Sequence, residues 1–233
     1  MSFPQQKLIM LPVLTLLLAT PAKAVYYLAG DFNGWNAAGN VMTDLGGGIW
    51  QATLNNVGGR HEFKVTIGDW SQNWPGSGNS WLFGDGTGNV TVTFNANDVQ
   101  DGWRGSWGRI GLSTDPGTWT AIGDWQGWNN IGNAMLPIGG GIYSYSQTLA
   151  PGWYQWKAVV TGSWDSIGDD FRCVNSNTTW FEVTADQPIA YFQVNALAGT
   201  ERVYTVPEPF TLALLGIGAL GLLAYAWRRK RCA

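Results

Sequence analysis

A shift of 93 positions lays one half of this sequence on the other. Gly30-Asp31-Phe32-Asn33-Gly34-Trp35-Asn36 recurs as Gly123-Asp124-Trp125-Gln126-Gly127-Trp128-Asn129. The register continues through Gly39-Asn40 and Gly132-Asn133, Met42 and Met135, then Gly46-Gly47-Gly48-Ile49 and Gly139-Gly140-Gly141-Ile142, and returns at Lys64 and Lys157. A fixed period with matching glycines means two copies of one folding unit.

The composition sets the fold class. Gly 32 and Trp 15 stand far above ordinary usage, while charged residues make up only 12%. Such a chain suits short strands and tight turns, and the expected fold is all-β. In the first copy the strands are expected at 25–29, 49–54, 61–67 and 89–94. In the second they are expected at 119–122, 142–149, 153–160, 180–183 and 189–194, with the glycine triplets as turns. Several strands in about 90 residues suggest one immunoglobulin-like β-sandwich per copy. The copies are set at 25–104 and 118–205. The Gly-rich stretch 105–117, which contains Asp115-Pro116, is expected to link them.

The two ends read differently. Lys7, the apolar run 8–19 and Ala22-Lys23-Ala24 describe a signal peptide over 1–24, cleaved between Ala24 and Val25. Residues 210–227 are apolar apart from Thr211 and carry no charge. As a helix they rise about 27 Å, enough for one transmembrane span. The cluster Arg228-Arg229-Lys230-Arg231 holds its far end in the cytoplasm. Between Val25 and Pro209 stand seven basic and 16 acidic residues, a balance that repels phosphate backbones, so no nucleic-acid partner is expected. Cys173 and Cys232 fall on opposite sides of such a bilayer and cannot pair within one chain. Cys173 reads as a small buried apolar residue.

Little here points to catalysis. His61 is the one histidine, there is no Cys/His metal cluster, and no glycine loop cradles a phosphate. No cofactor and no metal are expected, although Asp165, Asp169 and Asp170 offer a calcium reading beside the commoner one of solvated loop acids. What abounds is tryptophan beside Asn, Asp, Gln or Gly. An indole stacks on the C–H face of a sugar ring while neighbouring amides bond its hydroxyls. A sandwich core also consumes tryptophan.

Two resemblances narrow this. Pro207-Glu208-Pro209, one apolar helix and an Arg-rich end, over 206–233, resemble the PEP-CTERM sorting signal of Gram-negative bacteria. The resemblance implies an exosortase-type processing enzyme as partner, removal of the helix and transfer to the cell surface, in place of a plain single-pass membrane anchor. Gly-Asp-Phe-Asn-Gly-Trp followed by an aromatic-Lys-Val strand and Gly-Asp-Trp resembles the glycogen- and starch-binding modules of amylolytic enzymes. Tyr154-Gln155-Trp156-Lys157 with Gly162-Ser163-Trp164-Asp165 looks more like the starch-binding modules of pullulanases. This implies a platform of Trp35, Lys64, Trp70 and Asn89 in the first copy. In the second, Trp128, Lys157 and Trp164 match, and the Asn element has no counterpart. The function these resemblances imply is a surface-sorted, non-catalytic carbohydrate-binding protein with a polysaccharide partner, α-glucan or exopolysaccharide. The alternative is a structural surface or matrix protein without specific sugar affinity.

Overall fold

The computed structural model describes residues 24–86, 88–208 and Leu220. The expected signal segment up to Lys23 and the apolar span 210–227, Leu220 apart, lie outside the described residues. Among the described residues no helix is long and apolar enough to cross a membrane.

The described chain is all-β. The first copy runs through β1 (Tyr27–Gly30), β2 (Asn40–Val41), β3 (Thr43–Gly46), β4 (Ile49–Leu54), β5 (Gly58–Thr66), β6 (Asn73–Trp74), β7 (Ser80–Asp85), β8 (Val90–Asp98) and β9 (Trp107–Leu112). The second runs through β10 (Trp119–Gly123), β11 (Leu136–Gly139), β12 (Ile142–Thr148), β13 (Gly152–Val160), β14 (Asp165–Gly168), β15 (Phe171–Val174), β16 (Thr179–Val183), β17 (Ile189–Asn195) and β18 (Thr200–Val206).

The sequence repeat is a repeat of topology. One sheet of the first copy has the order β2-β1-β5-β6 with β7 also on β5, and its match in the second is β10-β13-β14-β15 with β16 on β13. The other sheets are β3-β4-β8-β9 and β11-β12-β17-β18. The register is kept as well: Ala29 pairs with Lys64 as Ile122 pairs with Lys157. Each glycine triplet turns one hairpin, with φ of 87°, 59° and 79° at Gly46–Gly48 and 102°, 61° and 74° at Gly139–Gly141. Three consecutive left-handed residues are open to glycine at little steric cost.

Strand alternation sorts the side chains into two cores. On β8, Val90, Val92 and Phe94 are buried while Thr91 and Thr93 face outward. Together with Leu28, Trp50, Phe63, Val65, Trp74, Ile110 and Leu112 they fill the first core between its two sheets. Trp119, Trp156, Ile167, Phe181, Phe192 and Val194 fill the second. Trp81 crosses between them. On β7, Leu82 belongs to the first core, whereas its neighbour Trp81, fully buried, belongs to the second. A tryptophan of about 150–250 Å² at roughly 25 cal/mol per Å² makes this contact a main source of cohesion between the copies.

The stretch 105–117 is therefore not a linker. Residues 107–112 form β9, in which Ile110 pairs with Phe94 and Leu112 with Val92. Gly108 serves close approach there: at φ 72° a Cβ would stand 2.6 Å from the Trp74 ring. The copies are further joined by Leu112 N–H to Leu197 O (2.8 Å), Val174 N–H to Asn79 O (2.8 Å) and a two-pronged bond from Arg60 to Asp165 (2.7 and 2.6 Å).

Candidate functional site

In both copies the Gly-Asp-aromatic segment folds as a 3-10 turn, Asp31–Asn33 and Asp124–Gln126, ended by a left-handed glycine. The aspartate fastens the turn to the central strand: Asp31 Oδ2 accepts Glu62 N–H (3.0 Å) and Asp124 Oδ2 accepts Gln155 N–H (3.1 Å). The next residue is Trp35 or Trp128, each at φ 60°. A bulky side chain in this region is strained by about 1–3 kcal/mol and is retained where the surroundings over-determine it. Trp35 N–H donates to Gly30 O (2.8 Å) and Trp128 N–H to Gly123 O (3.0 Å), which fixes both indoles at the same station.

In the first copy Trp35 faces Trp70, ring centroids 6.4 Å apart at 42°, and Trp70 is 46% exposed. Lys64 points outward from β5 beside them. Its ammonium donates to Asn73 Oδ1 (2.9 Å) and Pro75 O (2.6 Å), and burial lowers its pKa. Asn73 Nδ2 in turn donates to Trp70 O (3.4 Å).

The second copy repeats the lysine–asparagine bond with a different spacing. The Lys157 ammonium donates to Asn175 Oδ1 (2.7 Å) and Ser176 O (2.8 Å), while Asn175 N–H donates to Trp164 O (2.8 Å). Trp164, 49% exposed, stands 5.9 Å from the ammonium, and with Asn175 it lines a shallow concavity. Lys157 is only 4% exposed, and burial lowers its pKa against the pull of Asp170.

Asn89 does not join this arrangement. It is exposed in a concavity with Phe83, Gly84, Thr114 and Asp115, toward the Gly58 end of β5, whereas Trp70 lies beyond the Thr66 end. The asparagine beside Lys64 is Asn73, and the one beside Lys157 is Asn175. They stand nine and 18 residues after their lysines, so no fixed spacing announces them.

The other polar candidates are engaged structurally. His61 bonds Asp31 Oδ1 (2.6 Å) and Gly58 O (3.1 Å). Asp165 accepts Arg60, and Asp170 Oδ1 accepts Asn177 N–H (2.7 Å). Among the described residues no three His, Cys, Asp or Glu side chains are grouped to hold a metal ion. Cys173 is buried, its thiol pushed up to about 11 chiefly by desolvation, and it donates to Ser77 O (3.3 Å). Ala24 and Val25 are exposed, and Pro207-Glu208 come directly after β18; Pro209 lies outside the described residues.

A segment of 56 residues is 43% identical to an alpha-amylase of Niallia circulans, 23% of this chain and 4% of that protein. The crystal structure of SusF from Bacteroides thetaiotaomicron matches at 17% identity and a TM-score of 0.27, over 81% of this chain and 50% of that one. A pullulanase from Bacillus acidopullulyticus matches at 12% identity and a TM-score of 0.30, over 78% and 28%. The chain thus spans half or less of each of these proteins. At the C-terminus, where the last strand ends, residues 205–230 carry a PEP-CTERM protein-sorting motif.

Proposed function

We propose that this chain is an exported, surface-sorted, non-catalytic carbohydrate-binding protein made of two immunoglobulin-like β-sandwiches, with α-glucan or exopolysaccharide as its ligand. The observation that carries the reading is the repeated Lys–Asn–Trp arrangement, Lys64–Asn73–Trp70 and Lys157–Asn175–Trp164. In each, an outward indole stands beside an asparagine amide held by a lysine ammonium, a pairing of ring face and fixed polar group that suits the C–H face and hydroxyls of a sugar ring. The local likeness to an alpha-amylase fits it. Trp35, Lys64 and Trp70 form the first platform, and Trp128, Lys157 and Trp164 the second. Asn89 lies away from both.

In this reading, export involves cleavage between Ala24 and Val25. An exosortase-type enzyme then acts at Pro207-Glu208-Pro209 on a single-pass inner-membrane intermediate with a cytoplasmic C-terminus. Mass spectrometry of surface material is expected to find chains that begin at Val25 and lack 210–227. Chains that keep that segment would indicate a permanent anchor. Binding is tested by quenching of tryptophan fluorescence of the purified protein with maltooligosaccharides. A structural role is favoured for one element: the burial of Lys157 leaves its ammonium little room for a ligand.

A further inference from the structure

The outward faces of the two central strands carry equivalent stations with opposite fates. On β5 and β7, Glu62 pairs with Trp81, and on β13 and β16, Gln155 pairs with Trp180. Glu62 and Gln155 are 93 positions apart, the period of the repeat. Trp81 is fully buried because the second copy covers it, with the Arg172 guanidinium 4.4 Å from its ring. Trp180, at the same station, is 55% exposed, and Trp153, paired with the next outward residue Glu182, is 63% exposed. The inward residues of β16, Thr179, Phe181 and Val183, are buried, so this is a formed sheet face with two indoles left on its outside.

From this geometry we infer that Trp153 and Trp180 are a further sugar-stacking surface, which extends the second copy's site along β13. The inference rests on the carbohydrate-binding function proposed for the chain. Trp153, Gln155 and Lys157 share the outward face of β13 over about 13 Å, and Trp180 joins them as the cross-strand partner of Gln155. The strip therefore leads from the two indoles to the Lys157–Asn175–Trp164 arrangement. Between them lie Gln155 and Thr178, whose hydroxyl donates to Gln155 Oε1 (2.6 Å).

Other occupants fit less well. A second chain docking as the second copy docks on Trp81 would need an open cradle beside the residue equivalent to Trp119. That residue is Tyr26, already packed by Trp50, Trp74 and Phe94. Stacking the face on itself would bury the exposed Glu182 carboxylates of both chains in an apolar contact. A neutral chain with apolar ring faces meets neither obstacle.

The test is titration of the purified protein with a soluble maltooligosaccharide series, using wild type, Trp70→Ala and the pair Trp153→Ala/Trp180→Ala. The double variant is expected to keep its melting temperature and to lose about tenfold in affinity for the longer members, with the shortest little affected. Wild-type affinity in the double variant, while Trp70→Ala weakens binding, would overturn this inference and leave the carbohydrate reading standing. A wild-type dimer that the double variant makes monomeric would also overturn it, in favour of self-association. A wild type that binds no oligosaccharide would remove both readings.

Discussion

The two copies hold the same lysine in the same register, yet one lysine is half-buried and the other almost wholly enclosed. The difference comes from the segment that leaves the central strand. In the first copy, two-residue β6 leads into the 75–79 loop, and Lys64 keeps a solvent-facing side beside Trp35 and Trp70. In the second copy the β14–β15 hairpin and residues 175–176 close over Lys157. The second copy also buries Asp165, Arg172 and Glu201. Burial lowers the pKa of Arg172 to about 9, and it raises that of Glu201 well above the usual carboxylate value, with Thr179 Oγ1 donating to the carboxylate. The lysine has thus become enclosed in the second copy, while Trp164 stays as exposed as Trp70 and two further indoles stand exposed on β13 and β16.

The largest expected effect tests whether the copies are separable. Trp81→Ala should cost about 3–5 kcal/mol, since it empties a site in the second core from a strand of the first. Chemical denaturation monitored by fluorescence should show one shared transition in wild type; two independent transitions would break the account of a joined molecule. Next, Lys157→Ala should cost about 1–3 kcal/mol, because it leaves Asn175 Oδ1 and Ser176 O without their buried donor. Lys64→Ala should cost less, since water can replace the ammonium. Equal losses in thermal melts would erase the contrast between the two sites.

The smallest effect is one of pH. Glu201 has a folded pKa above its ordinary 4.5, so its protonated form contributes stability that is full below that value. That contribution is lost as pH rises toward the folded pKa. Glu201→Gln should therefore gain on wild type as pH increases from about 4, in paired denaturant melts. A difference that stays constant with pH would mean the carboxyl does not titrate as its burial implies.

Much of this is legible in the residues. The repeat comes from self-comparison, the all-β class from composition, the main strands from apolar runs split by turn residues, and the turns from glycine triplets that accept a left-handed backbone at little cost. β9 is not legible, because its glycines resemble a linker until Trp74 and Leu197 are seen pressing on Gly108 and Gly111. Asn73 and Asn175 are hidden because an inserted hairpin alters their distance from the lysine, and Asn89 is suitable by motif alone. Trp81 and Trp180 are indistinguishable along the chain. Only the packing of one copy on the other makes the first an anchor and leaves the second on the surface.

The central claim is that the first copy's open face binds sugar through exposed indoles rather than merely closing a core. It is tested most directly by titrating wild type and Trp70→Ala with a soluble glucan and recording the melting temperature of each. Removing one stacking indole should lower affinity by about ten- to a hundredfold, equal to roughly 1–3 kcal/mol, with the melting temperature nearly unchanged. Equal affinity in the two proteins, or a fall in melting temperature large enough to explain weaker binding, would contradict the account and favour a purely structural role.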